Sequence, residues 1–285
     1  MNNNFYEYFL EFPYSNIKIN FKEISTKEQL YLSKARLSFS ENEQYFNFIK
    51  QIYMSTVSDK NKFENIDMIE FLFYLIKSRI ICFGPKLELI TEINDMQAKI
   101  NINLNDILKN IYSSIQTDLF KISQDKFNIT LGFPYLKDFS IINKSNNNGI
   151  DVINSFYLFV KKINNIEFSG LDIKQREVLF NTLPLSLTTK IKKNILKIFE
   201  ILDGKNIFGF EYFKNFKLNI YNNSYVEIIK ILSLHDIESI HREIYLLSHM
   251  NPEYLMNSSP TERKMYLNFY IQEKESKNKN SFSME

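Results

Sequence analysis

Apolar and polar residues alternate along Ile17-Lys18-Ile19-Asn20-Phe21-Lys22 and, less regularly, from Phe5 to Phe12. A period of two sends successive side chains to opposite faces of an extended strand. Pro13-Tyr14-Ser15-Asn16 lies between the two runs as a turn, so the chain is expected to open as a two-strand ribbon. The period then lengthens. In Ser25-Thr26-Lys27-Glu28 a hydroxyl stands three positions before a carboxylate, which satisfies free backbone N–H groups at a helix start and predicts a helix to about Ser38. Tyr45, Phe48, Ile49, Ile52 and Tyr53 recur at three- and four-residue steps and predict a second helix from about Glu41 to Val57. A third starts at Asp67-Met68-Ile69-Glu70 and is apolar on almost all sides. It stops at Gly84-Pro85, where glycine permits a left-handed turn and proline prevents continuation.

From Lys86 the pattern returns to short alternating runs, Lys86–Ile93, Ala98–Leu104 and Leu119–Phe133, with a helix expected from Asn105 to Ser114. These predict a small central sheet. Asn143 to Gly149 is a polar loop with nothing to pack. Helical spacing resumes over Val152–Ile163, Asp172–Thr182 and Leu187–Leu202, then over Phe208–Phe216, Ser224–Leu234, His235–Met250 and Pro260–Glu273. Pro260 suits a first helical turn. The expected fold class is α+β and predominantly helical: an N-terminal β-ribbon with helices, a small central sheet and a C-terminal helical module. The corresponding spans are 1–85, 86–142 and 150–273, with a polar tail at 274–285.

Composition sharpens this picture in three ways. Hydrophobic residues make up 44% and aromatic residues 15% of 285 positions, enough for a large core without disulfides or metals. The formal charge is only +2, with both signs interspersed, so nucleic-acid binding is not favoured. Cys82 is the sole cysteine and sits in the apolar run Arg79–Phe83, where a small hydrophobe would serve as well; an internal disulfide is impossible and a reducing compartment fits. The first residues, Met1 to Glu7, lack the basic start and apolar stretch of a secretion signal. The most apolar segment, Met68–Phe83, is interrupted by Glu70, Lys77 and Arg79 and is too short to span a bilayer, so no membrane span is expected.

Catalytic motifs are sparse. Gly204-Lys205-Asn206-Ile207-Phe208-Gly209 has phosphate-loop spacing but continues into Phe210-Glu211, where that chemistry needs Lys and then Ser or Thr. His235, His241 and His249 are six and eight residues apart, steps that rotate them by about 240° and 80° on a helix, so they form no single coordinating face. Glu238-Ser239-Ile240-His241 gives one Glu-x-x-His where carboxylate di-iron bundles need two. Cys82, between Ile81 and Phe83, lacks the polar setting that makes a thiolate. The rings and lysines of Phe208–Lys217 fit a helix core stripe better than a base-stacking platform. No catalytic residue, cofactor or metal is therefore expected. The alternative left open is an enzyme whose metal or nucleotide site is assembled from distant residues.

The order of segments resembles the baseplate hub assembly proteins of T4-type contractile-tailed phages. Ile17–Leu30 is similar to that family's opening strand and first helix, and Ile66–Gly84 to its Asp-centred apolar helix. Ile129-Thr130-Leu131-Gly132-Phe133-Pro134 resembles its central strand, and Gln175–Lys192 its acidic-start helix, Leu-Pro turn and following helix. His235–Leu247 and Ser259–Leu267 resemble its closing helices with their Pro-x-Glu-Arg start, although Thr261 stands where tryptophan is expected and the chain has no Trp. The resemblance implies a hub component or a transient assembly factor or chaperone, with other hub proteins as partners and no catalytic residues to carry over. It also implies residence in the host cytoplasm during assembly, or in the virion tail baseplate; a homo-oligomer stays open. Glu262, Arg263 and Tyr266, at three- and four-residue spacing, are the candidate interaction residues, against the simpler expectation that Glu262 and Arg263 only cap and solvate their helix.

Overall fold

The computed structural model describes residues 7–93, 96–115, 120–138, 153–201, 224–233 and 237–282. Strands β1 (Glu7–Glu11) and β2 (Lys18–Lys22) pair antiparallel with Leu10 opposite Ile19 and Tyr8 opposite Phe21. Leu10, Ile19 and Phe21 are buried, as the alternation requires. Asn16 closes the turn at φ 55°, a backbone region that asparagine tolerates.

Helix α1 (Thr26–Ser38) begins at a capping box in which the Ser25 hydroxyl accepts from the Glu28 N–H and the Glu28 carboxylate accepts from the Ser25 N–H. Helix α2 (Asn42–Ser55) buries Tyr45, Phe46, Ile49, Ile52 and Tyr53. The short α3 (Lys60–Glu64), capped by Asp59, was not legible, since five residues carry no periodicity. Helix α4 (Met68–Phe83) is the central element, with ten of its sixteen side chains buried. Its Tyr74 ring meets Phe63 at 4.9 Å and Phe21 at 5.1 Å, edge to face, tying the ribbon and α3 to it.

Gly84 ends α4 at φ 87° and ψ 174°, a region open essentially to glycine alone. A Cβ there would meet nothing within 4 Å, so the cost of adding one is purely conformational. Gly84→Ala is expected to lower stability by about 1–3 kcal/mol, read from the urea midpoint. An unchanged midpoint would show that the turn relaxes freely.

The expected central sheet is divided. Strands β3 (Lys86–Ile93) and β4 (Met96–Asn103) form a separate hairpin leading into α5 (Leu104–Ile115). The run Leu119–Phe133 resolves into the hairpin β5 (Lys121–Gln124) and β6 (Phe127–Leu131). These join β7 (Val160–Ile163) and β8 (Ile166–Glu167) in a four-stranded antiparallel sheet of order β5-β6-β7-β8. The helix expected over Val152–Ile163 is thereby corrected: Ile153–Phe159 is a 3₁₀ helix and Val160–Ile163 a strand. Pairing decides it, because β7 finds β6 on one side and turns through Asn164, at φ 52°, onto β8 on the other.

Helices α6 (Ile173–Asn181) and α7 (Leu185–Ile201) follow, then α8 (Ser224–Leu232), α9 (Ile237–Leu246), α10 (Pro252–Asn257) and α11 (Pro260–Phe282). Helix α11 continues to Phe282, so the stretch from Lys274 expected as a tail is largely helical. The expectations for Asn143–Gly149, Gly204–Gly209, Phe208–Lys217 and His235 lie outside the described residues. One buried apolar cluster runs from Leu10 to Leu232 and draws on the spans 1–85, 86–142 and 150–273 alike. Tyr225 of α8 donates its hydroxyl to the Met68 carbonyl at 2.5 Å, fastening the late helix to the start of α4. Among the described residues no helix is long and apolar enough to cross a membrane.

Candidate interaction surface

Helices α9, α10 and α11 pack against α1 and α4 through a polar clamp. Glu23, just after β2, accepts from the Thr261 N–H at 3.1 Å, from the Thr261 hydroxyl at 2.6 Å and from the Tyr8 hydroxyl at 2.7 Å. A buried carboxylate at the amino end of α11 also meets the positive end of the helix dipole. The Thr26 N–H donates to the Ser258 carbonyl at 2.8 Å, and its hydroxyl donates to the same oxygen at 3.0 Å. Thr261 thus has a structural role of its own.

The three expected interaction residues take three different places. Glu262 forms a capping box with Ser259: its carboxylate accepts from the Ser259 N–H at 2.8 Å, and its own N–H donates to the Ser259 hydroxyl at 3.2 Å. Arg263 corrects the expectation of a solvent-facing guanidinium, because it is only 1% exposed. Its Nε donates to Glu243 at 3.0 Å and its Nη2 to Gln29 at 2.6 Å, while Nη1 donates to the Thr26 hydroxyl. All this locks α11 onto α1 and α9. Tyr266 is half-buried; its hydroxyl is hydrogen-bonded to that of Tyr254, and burial, reinforced by that neighbour, pushes its phenol up.

Outside the clamp, the same helices leave large apolar side chains in solvent. Tyr245 is 77% exposed and Phe269 58%, with Leu246, Tyr254, Met265 and Ile271 also exposed. Met265 and Phe269 are one turn apart on α11 and share a face. Residues 271–276 are exposed without a break. Six consecutive helical residues sample every direction around the axis, so none of the described body covers this part of α11. His249 stacks on Tyr270 at 5.3 Å, just before the helix leaves the body.

A second cluster is buried. Asp67 caps α4 by accepting from the Glu70 N–H at 2.9 Å, while Glu70 accepts from the Asp67 N–H at 3.3 Å and the Ser15 N–H at 2.6 Å. Burial raises both carboxyls, Asp67 to about 8, and each is further influenced by Lys161. Lys161 has a partly exposed stem, but its Nζ is buried without a hydrogen bond, 3.3 Å from the centre of the Tyr135 ring. Burial lowers its amine to about 8 against the pull of Asp67 and Glu70. Asp138 and Arg176 complete the cluster as an ion pair at 2.7 Å. A nearby open cleft of about 670 Å³ is lined by Ser15, Asn65, Tyr135 and Ser169, and by none of these five charged residues.

Arg176 and Arg263 were not singled out for burial, yet the pattern held a signal. Ile173, Arg176 and Phe180 recur at three- and four-residue steps, as do Arg263, Tyr266, Leu267 and Tyr270, so each arginine lies on an apolar face. Lys161 carried no such sign. Cys82 is buried as expected, and burial pushes its thiol up to about 12. His241 and His249 belong to no group of His, Cys, Asp or Glu placed to hold a metal among the described residues.

Eleven α-helices and three small antiparallel sheets among the described residues define a predominantly helical α+β protein. No family model, curated protein or solved structure matches the chain.

Proposed function

We propose that the chain is a non-enzymatic component or assembly factor of a phage tail baseplate hub that works by binding other hub proteins. The observation that carries this is the set of exposed rings and aliphatic chains on α9, α10 and α11, led by Tyr245 and Phe269. They lie in and beside the segments whose resemblance to the hub family is most telling, His235–Leu247 and Ser259–Leu267. Aromatic side chains are the groups that most often dominate the energetics of protein interfaces. The polar clamp supports the same function, since it holds α11 by its first turns and leaves the rest of its length available. A specific contact buries more than about 1,000 Å² in total, which a projecting helix and its neighbours can supply.

Co-expression with the other hub proteins is expected to give a complex that survives size-exclusion chromatography. The double variant Tyr245→Ser/Phe269→Ser is expected to weaken that complex by at least about tenfold. Because both side chains face solvent, its unfolding free energy should stay within about 0.5 kcal/mol of the parent. A chain that remains alone with every hub protein would overturn the proposal. Mass spectrometry of purified virions separates a permanent component, which is found in them, from a transient factor, which is not.

A further inference from the structure

Helix α7 is rich in lysine: from Leu185 to Lys197 it contains Lys190, Lys192, Lys193 and Lys197, and its one carboxylate, Glu200, follows in the last turn. Lys190, Lys193 and Lys197 are exposed, and their spacing places them within about 60° of arc. Leu187, Ile191 and Ile195 occupy the opposite, buried side. None of the three exposed lysines has an ion-pair partner among the described residues.

Two leucines run along one edge of this basic stripe. Leu185 is 82% exposed and Leu196 53%. Eleven residues carry the helix through almost whole turns, so the two lie within about 20° of one another, about 16 Å apart along the axis. Lysine and leucine side by side narrow the chemistry of an occupant. A nucleic-acid backbone offers phosphates but no apolar surface for the leucines. Helices that lie in a bilayer interface bury a broad apolar face, and two leucines do not make one. An acidic amphipathic protein helix supplies both, with carboxylates at the same three- and four-residue recurrence and apolar side chains beside them.

We infer that the outer face of α7 is a docking surface for an acidic amphipathic helix of a partner protein. The inference rests on the binding function proposed above and assigns it a second surface, distinct from α9–α11. Lysines steer the acidic helix and fix its register; the leucines bury its apolar edge.

The test uses the full chain and four probes. One is a synthetic helical peptide with glutamates at three- and four-residue recurrence beside two leucines eleven residues apart. The others are its scrambled counterpart, a short DNA duplex and phosphatidylglycerol vesicles. The designed peptide is expected to bind, and to bind more weakly as ionic strength rises. Lys190→Glu/Lys193→Glu/Lys197→Glu should cut its affinity by about tenfold or more while circular dichroism and melting stay those of the parent. Leu185→Ser/Leu196→Ser should also weaken it. Binding unaffected by charge reversal, or scrambled peptide, duplex or vesicles held as tightly, overturns the inference. Should the triple variant unfold, the leucine pair reports in its place: unchanged affinity there overturns the inference as well. A hub complex that forms while the peptide fails sinks the α7 surface alone; a peptide that binds while no hub protein does sinks the hub assignment alone.

Discussion

Arg176→Met is expected to destabilise the protein by about 3–5 kcal/mol, because it strands the Asp138 carboxylate inside the fold. The two side chains are 2% and 3% exposed and meet at 2.7 Å, so neither ion has water to turn to. Arg176 Nε also donates to the Leu171 carbonyl at 3.0 Å, and its guanidinium lies 5.3 Å from the Tyr135 ring. Methionine keeps the stem and removes all three interactions. Lysine is not expected to rescue, since a single ammonium cannot reach Asp138 and the Leu171 carbonyl with the fork of a guanidinium. The informative companion is Arg176→Met/Asp138→Leu, which removes both charges together. Replacing a buried pair by apolar groups of similar size is often neutral, so the double variant should recover most of the loss in urea titrations. If it is as unstable as the single variant, stranded charge is not the cause and packing around α6 is.

That pair also marks how far the sequence could be read. Local chemistry is written in adjacent residues, and α1, α4 and the β1–β2 ribbon lie where capping boxes and alternation predict. Elements decided by distant pairing were harder. Val160-Lys161-Lys162-Ile163 has no strand signal of its own, and becomes β7 because Ile129–Leu131 lies alongside it. The clamp on α11 is similar: Glu23 and Thr261 are 238 positions apart, and no spacing rule connects them. Arg263, expected at a partner surface, lies inside the fold. Its neighbours Tyr266, Leu267 and Tyr270 share its face, and an arginine buried there needs partners, which Glu243, Gln29 and Thr26 supply. The exposed apolar set could not be found by pattern at all, because Phe269 and Tyr266 read alike until a fold covers one more than the other.

The two arginines and Lys161 divide the buried charges into two kinds. Arg176 and Arg263 end in several hydrogen bonds to acceptors of fixed geometry, and they act as fasteners between helices. Lys161 ends on a ring face, close to carboxyls that it does not bond. The second kind responds to pH, because burial lowers the Lys161 amine to about 8.

Stability is expected to fall as pH rises from about 4 to about 8, against the usual behaviour of carboxylates, and Asp67→Asn should flatten that fall. Burial raises the Asp67 carboxyl from 3.8 in the unfolded chain to about 8 in the fold. Between those values the folded state holds a proton that the unfolded state has released, so its contribution is full below 3.8 and is lost as pH climbs to about 8. One proton corresponds to at most about 1.4 kcal/mol per pH unit, hence up to about 3 kcal/mol between pH 5 and pH 7. Glu70, raised by the same burial, acts in the same direction. Lys161 has the opposite sign: its amine is lowered from 10.5 to about 8, so its contribution is recovered only as pH rises through that interval. Asp138 and Arg176 face the cluster from the 136–138 turn and α6, and Tyr14 and Tyr225 from the ribbon turn and α8. Asparagine still accepts the Glu70 N–H as an N-cap, so the start of α4 survives the substitution. The curves of parent and variant, measured as urea midpoints, should converge or cross at low pH, with the variant more stable at pH 8. Parallel curves would mean that Asp67 is ionised in the fold at neutral pH, with Lys161 or an internal water compensating it.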